Sequence, residues 1–199
     1  MRPLATTLAL LFAALPGFAQ WRHFGGSSLH PTAALGFGGA TAVNPLATSL
    51  DAGFAMSAGA GLTNDYAGVL ANFTFVDFGI NHNALVRLGA HDGSQRYWAV
   101  TIDPVVHVNG RGPVDFYLTG GGGIYGQITR LEATFAGQPR FDLTSSETHV
   151  RPGVDGGAGF AFNLDPGSRL KVFVEARYHH MFTAGRESSF IPVVFGVRF

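Results

Sequence analysis

The sequence predicts an all-β fold, an eight-stranded antiparallel up-and-down β-barrel that crosses a membrane with its strands. Three observations carry that prediction: a closing segment that alternates and ends on an aromatic residue, seven further segments with the same period of two, and connections that alternate between short and long. In the closing segment Val197, Phe195, Val193 and Ile191 share the face of Phe199, while Arg198, Gly196, Val194 and Pro192 take the other.

The chain divides into three parts. Arg2 precedes an apolar run from Leu4 to Leu15, and Pro16-Gly17-Phe18-Ala19 then leads to Gln20. That is a charged start, a short apolar middle and a small residue at a cleavage point, so residues 1–19 are expected to be a signal peptide cleaved near Ala19. The run is too short for a membrane-spanning helix, which needs about 20 apolar residues, and no longer run follows. Residues 20–31 have no period and are expected to be a flexible N-terminal segment; residues 32–199 form the barrel domain.

The strands are expected at about 32–43, 51–62, 66–79, 95–108, 114–130, 148–162, 169–183 and 189–199. The first contains Gly36-Phe37-Gly38-Gly39-Ala40, which would also suit a loop. In the third, Ala67, Val69, Ala71, Phe73 and Phe75 alternate with Gly68, Leu70, Asn72, Thr74 and Val76. In the fourth, Trp98, Val100, Ile102, Pro104, Val106 and Val108 alternate with Ala99, Thr101, Asp103, Val105 and His107. In the seventh, Val172, Val174, Ala176 and Tyr178 alternate with Lys171, Phe173, Glu175, Arg177 and His179. Turns at 63–65, 109–113 and 163–168 are tight and rich in Asn, Asp, Gly and Pro, whereas 80–94 and 131–147 are long and polar. With an even strand count and both termini on one side, the short connections all fall on that side.

One face of these strands is apolar throughout. The other gathers Asp103, His107, Arg151, Asp155, Lys171, Glu175, Arg177, His179 and Arg198. A soluble barrel points its apolar face inward and a membrane barrel points it outward, and periodicity alone does not separate the two. The terminal Phe199, the aromatic residues near strand ends (Trp98, Phe116, Tyr178, Phe182) and the leader favour the membrane. About eight strands enclose an interior that side chains fill, so the charges are expected to pair as a structural network. The pairs expected are Arg177 with Glu175 and Arg151 with Asp155, with Arg198 and Lys171 near the end of the barrel that holds both termini.

Composition agrees with this architecture. Twenty-eight Gly, 18 Phe and only 13% charged residues describe a β-rich chain with aromatic anchors, and the absence of Cys removes disulfides from the account. Thirteen basic and 13 acidic side chains cancel, which leaves no field to attract nucleic acid. Mean hydropathy of +0.19 lies between that of soluble domains and helical membrane proteins, as alternating lipid-facing and lumen-facing residues require.

The stretch Thr101-Ile102-Asp103-Pro104-Val105-Val106-His107-Val108, the run from Asp115 to Tyr125, Val174-Glu175-Ala176-Arg177-Tyr178 and the closing strand together resemble the outer-membrane protein β-barrel domain family. These are the small eight-stranded barrels of the group that includes OmpA and OmpX. The resemblance implies an integral protein of the bacterial outer membrane whose partners are outer-membrane lipid and, during biogenesis, the barrel-assembly machinery. In that family the assembly signal corresponds here to Phe195, Val197 and Phe199. Members serve as envelope anchors or as adhesion or resistance factors, and some are enzymes. No appended peptidoglycan-binding domain is expected after the barrel, so an anchoring role of the two-domain kind is not the expectation.

No catalytic, cofactor or metal site is expected. Gly120 to Gly123 are followed by neither Gly-Lys-Ser/Thr nor a helix start, so they read as close packing under aromatic rings such as Tyr117 and Tyr125 rather than a phosphate loop. Neighbours on a strand point to opposite faces, so His179 and His180 cannot chelate one metal; His82, His91 and Asp92 are explained by loop polarity. A lipid A deacylase of the eight-stranded kind uses a His and a Ser two residues apart on one strand face. Here Met181 follows His179 and Phe182 follows His180 at that spacing, and Ser188 or Ser189 would have to approach through loop geometry. The expectation is a non-enzymatic barrel acting through connections 80–94, 131–147 and 184–188, with an unspecified external ligand. The alternatives are a small-solute channel or a lipid A-modifying barrel enzyme.

Overall fold

The computed structural model describes residues 28–43, 45–88, 90, 92–110, 112–132, 148–164, 170–183 and 188–199. Residues 1–19, expected as a signal peptide, lie outside the described residues, as do most of 20–31, most of 131–147, 165–169 and 184–187. The strands are β1 (His30–Ala42), β2 (Gly53–Thr63), β3 (Ala67–Gly79), β4 (Asp92–His107), β5 (Val114–Glu132), β6 (Thr148–Asn163), β7 (Lys171–Met181) and β8 (Ser188–Arg198). Each pairs antiparallel with its sequence neighbour, and β8 returns to β1, closing the barrel. Phe199 extends that seam: its N–H donates to the Ala33 carbonyl at 2.9 Å, and the Ala33 N–H donates to its carbonyl at 2.7 Å.

Period-two patterning maps onto inside and outside without a slip. On β4, Ala99, Thr101, Asp103 and Val105 are buried while Val100, Ile102 and Val106 are exposed. Outward apolar residues recur on the other strands, including Phe37 at 62%, Leu118 at 48%, Val193 at 48% and Phe195 at 54% exposure. The barrel therefore carries an apolar belt outside and its mid-barrel charges inside, the inverse of a soluble barrel.

Strand boundaries shift by one to three residues from expectation, and two of the shifts have a visible cause. Strand β1 begins at His30 rather than 32, because His30 and Pro31 pair with Thr63 and Leu62 of β2. Pro31, which has no N–H to donate, is tolerated there because pairing on the β8 side reaches no further than Ala33, opposite Phe199. The connection expected as a loop over 80–94 holds a helix, α1 (His82–Leu88), and β4 starts at Asp92. Asn81 caps α1 by accepting the Ala84 N–H at 2.9 Å, and its amide donates to the Thr48 carbonyl at 3.1 Å, tying the helix to the turn after β1. Glycines on β6 make room for lumen aromatics: a Cβ at Gly159 would lie 2.5 Å from the Tyr117 ring, and one at Gly153 would lie 2.7 Å from that of Tyr125. The expected aromatic cover thus falls on β6 rather than on Gly120 to Gly123.

Candidate functional site

The lumen holds a column of polar side chains, built because inward positions of adjacent strands come level through the strand register. Its centre is Arg177 on β7, with only 7% of its side chain exposed. Its Nε donates to Glu175 Oε1 at 2.8 Å and its Nη1 donates to Asp103 Oδ2, while Asp155 Oδ1 stands 3.8 Å away. Asp103 Oδ2 also accepts from Asn72 Nδ2 at 2.6 Å and Thr101 Oγ at 3.0 Å. One carboxylate thus gathers donors from β3, β4 and β7.

The column continues in both directions. Toward the end carrying the long connections, His179 Nδ1 lies 3.1 Å from the Tyr125 hydroxyl and 3.9 Å from Asp155 Oδ2, and its ring stacks on Phe190 at 4.9 Å. Toward the termini, Arg198 Nη2 lies 3.9 Å from Glu175 Oε2, and its guanidinium sits 4.4 Å over the Tyr117 ring. His107 forms a separate cluster: Nδ1 meets Asp115 Oδ2 at 2.5 Å and Nε2 meets Thr63 Oγ at 3.1 Å. Tyr97, Tyr117, Tyr125, Phe78, Phe190 and Met181 are fully buried. A cavity of about 10 Å³ beside Arg177 and His179 has room for roughly one water. The described lumen is packed with side chains rather than bored through.

Of the residues expected in this network, Asp103, Asp155, Glu175, Arg177, His179 and Arg198 are gathered in the column, and His107 stands in its own pair. Arg151 is not among them. It is exposed near the start of β6, so Asp155 faces Arg177 and His179 instead. The reason is height: Gly153 and the Tyr125 ring occupy the space between Arg151 and the column. Lys171 is half-buried at the first residue of β7 and forms no ion pair among the described residues. Asn72, Thr101, Asp115 and Tyr125 belong to the polar interior although sequence reading did not single them out for it. Their inward parity was legible, but only the register shows what stands beside them.

The outer face carries one polar group that its strand pattern did not announce. His180 and Ser189 are opposite each other on β7 and β8, with His180 Nδ1 2.9 Å from Ser189 Oγ. The Tyr178 hydroxyl donates to the same Oγ at 2.9 Å, and the Tyr178 and His180 rings stack. Strand pairing, not a loop, brings the serine to the histidine. Ser189 is only 2% exposed beneath these rings.

No family model matches the chain, and no curated protein matches it. Among solved structures, it is similar to Neisserial surface protein A, NspA, at 14% identity over 87% of this chain and 98% of that one, with a TM-score of 0.61. It is also similar to Ail, the attachment invasion locus protein of Yersinia pestis, at 19% identity over 85% of this chain and 99% of that one, with a TM-score of 0.48. The fold is that of the small eight-stranded outer-membrane barrels.

Proposed function

We propose that the protein is an integral, non-enzymatic protein of the bacterial outer membrane whose lumen is closed to solutes and whose external connections carry a structural or surface-interaction role. One observation carries this reading: an apolar belt faces outward around a barrel whose charges are paired inside. An exposed belt of that extent would drive association in water, whereas a bilayer covers it. Outer-membrane lipid is then its standing partner, and the barrel-assembly machinery its partner during biogenesis through the strand ending at Phe199. With both termini periplasmic, the connections after β1, β3, β5 and β7 face outward from the cell. Membrane fractionation with surface proteolysis tests location: the account expects outer-membrane protein cut only in those connections. A monomer soluble without detergent would overturn it. Planar bilayers test the lumen, with no steady conductance expected; a reproducible open level would make the protein a channel.

A second reading, hydrolysis of acyl esters in outer-leaflet lipid, is favoured by the Ser189 and His180 pair on the lipid-facing side. Against it, Ser189 is buried, and no carboxylate among the described residues orients the His180 ring. Release of acyl chains from lipid A that disappears in both Ser189→Ala and His180→Ala would establish this reading; absence of product with folded protein excludes it.

A further inference from the structure

The outer surface of β3, β4 and β5 changes character over a few rungs, and the register places each rung. Phe73, Val100 and Ile124 form an apolar row; the next row toward the long connections is Phe75, Trp98 and Gly126, with the Trp98 ring lying against Gly126. The row after that holds Asp77, Arg96 and Ile128, and the one above holds Gly79, Ser94 and Arg130. An apolar wall giving way to a Trp and then to charges marks the boundary between hydrocarbon and headgroups.

Arg96 and Arg130 are diagonal neighbours across the β4–β5 pair, about 7–8 Å apart at the backbone. Arg96 donates to Asp77 through Nε at 2.8 Å, which leaves its terminal nitrogens for another acceptor. Arg130 is exposed and has no acceptor among the described residues. Asp92, the next carboxylate above, accepts the N–H of Gly93 at 2.7 Å. A guanidinium fork matches phosphate oxygens two at a time, and its aliphatic stem lies along an apolar wall while the head reaches the polar layer.

We propose that Arg96 and Arg130, standing above Trp98, form a site for the phosphomonoester headgroup of an anionic lipid in the external leaflet, with its acyl chains along Val100, Ile102 and Ile124. The inference rests on the membrane reading above. Phosphate is the anion that a bilayer offers at this height, and the apolar rows below continue the site where a soluble phosphate would have no use for them.

The test uses Trp98 as its own reporter. The sequence has two tryptophans, so a Trp21→Phe background leaves Trp98 alone. Folded protein in phosphatidylcholine vesicles is titrated with brominated phosphatidic acid or brominated phosphatidylcholine, and quenching gives the relative affinity of the two lipids. Phosphatidic acid is expected to bind about fivefold more tightly, the effect of one basic side chain near a membrane surface. That preference should fall to near parity in Arg130→Gln and in Arg96→Gln/Arg130→Gln, with the heat-dependent gel shift confirming that both fold. Equal quenching by the two lipids in the unsubstituted protein overturns the site, as does a preference that survives both variants. Displacement of brominated lipid by inorganic phosphate would show a soluble anion site and also overturn it. Failure of either lipid to quench Trp98 overturns the membrane reading itself.

Discussion

Replacing Arg177 by Met removes the cation on which the lumen column turns. Asp103 keeps Asn72 and Thr101 as donors, and Glu175 keeps Arg198 at 3.9 Å, but both lose their closest positive partner and Asp155 loses the guanidinium that stands 3.8 Å from it. Removing one partner of a buried ion pair typically costs about 3–5 kcal/mol, because the remaining charge is left without compensation. Arg177 has two close carboxylates in a packed interior, so a loss in that range is expected. The assay is urea unfolding from phosphatidylcholine vesicles in the Trp21→Phe background, followed by Trp98 fluorescence and by the gel shift of unheated samples. Adding Asp103→Asn and Asp155→Asn to Arg177→Met removes the two carboxylates left without a guanidinium, while Glu175 keeps Arg198, and should restore most of the loss. A cost for Arg177→Met under about 1 kcal/mol, the range of exposed ion pairs, would mean that water fills the lumen and would refute the packed-column account.

Further consequences concern the barrel's surface and seam. Val100→Arg places a charge at an outward, 41% exposed mid-strand position and should cost about 2–4 kcal/mol in folding equilibria in bilayers. Thr101→Arg, at 2% exposure, should instead fail by overfilling the interior, so thicker or thinner bilayers will change the first cost and not the second. Phe199→Asp leaves the Ala33 backbone bonds available but replaces the outward aromatic of the closing strand; unfolded protein should accumulate in the periplasm, and normal levels of heat-modifiable, membrane-inserted protein would count against the C-terminal signal.

The strands and their faces were legible because inside and outside alternate along each strand by itself. The parity that put Glu175, Arg177 and His179 together needs no knowledge of any other strand. What parity does not contain is height. Arg151 shares the inward phase of Asp155 but stands near the rim, and Asp155 meets a residue of β7 instead. Asn72 reads as one polar residue in an apolar segment until the β3–β4 register sets it beside Asp103. Ser189 reaches His180 for the same reason, since a cross-strand pair leaves no spacing in the sequence. Helix α1 was missed because seven residues give too little period to separate a helix from a polar loop, and its cap on Asn81 is tied to a turn 33 residues away.

The central claim is that the apolar faces of the strands meet lipid and the polar faces meet each other. The chain contains no Cys, so single cysteines can be placed from Ala99 to Val106 and spin-labelled one at a time in bilayers. Accessibility to oxygen, which concentrates in hydrocarbon, and to a water-soluble nickel chelate then reads the surroundings of each position. The account predicts oxygen accessibility at 100, 102 and 106, and little access to either reagent at 99, 101 and 105. Nickel access at 99, 101 and 105 would mean an open aqueous lumen, and nickel access at 100, 102 and 106 would mean a barrel that faces water.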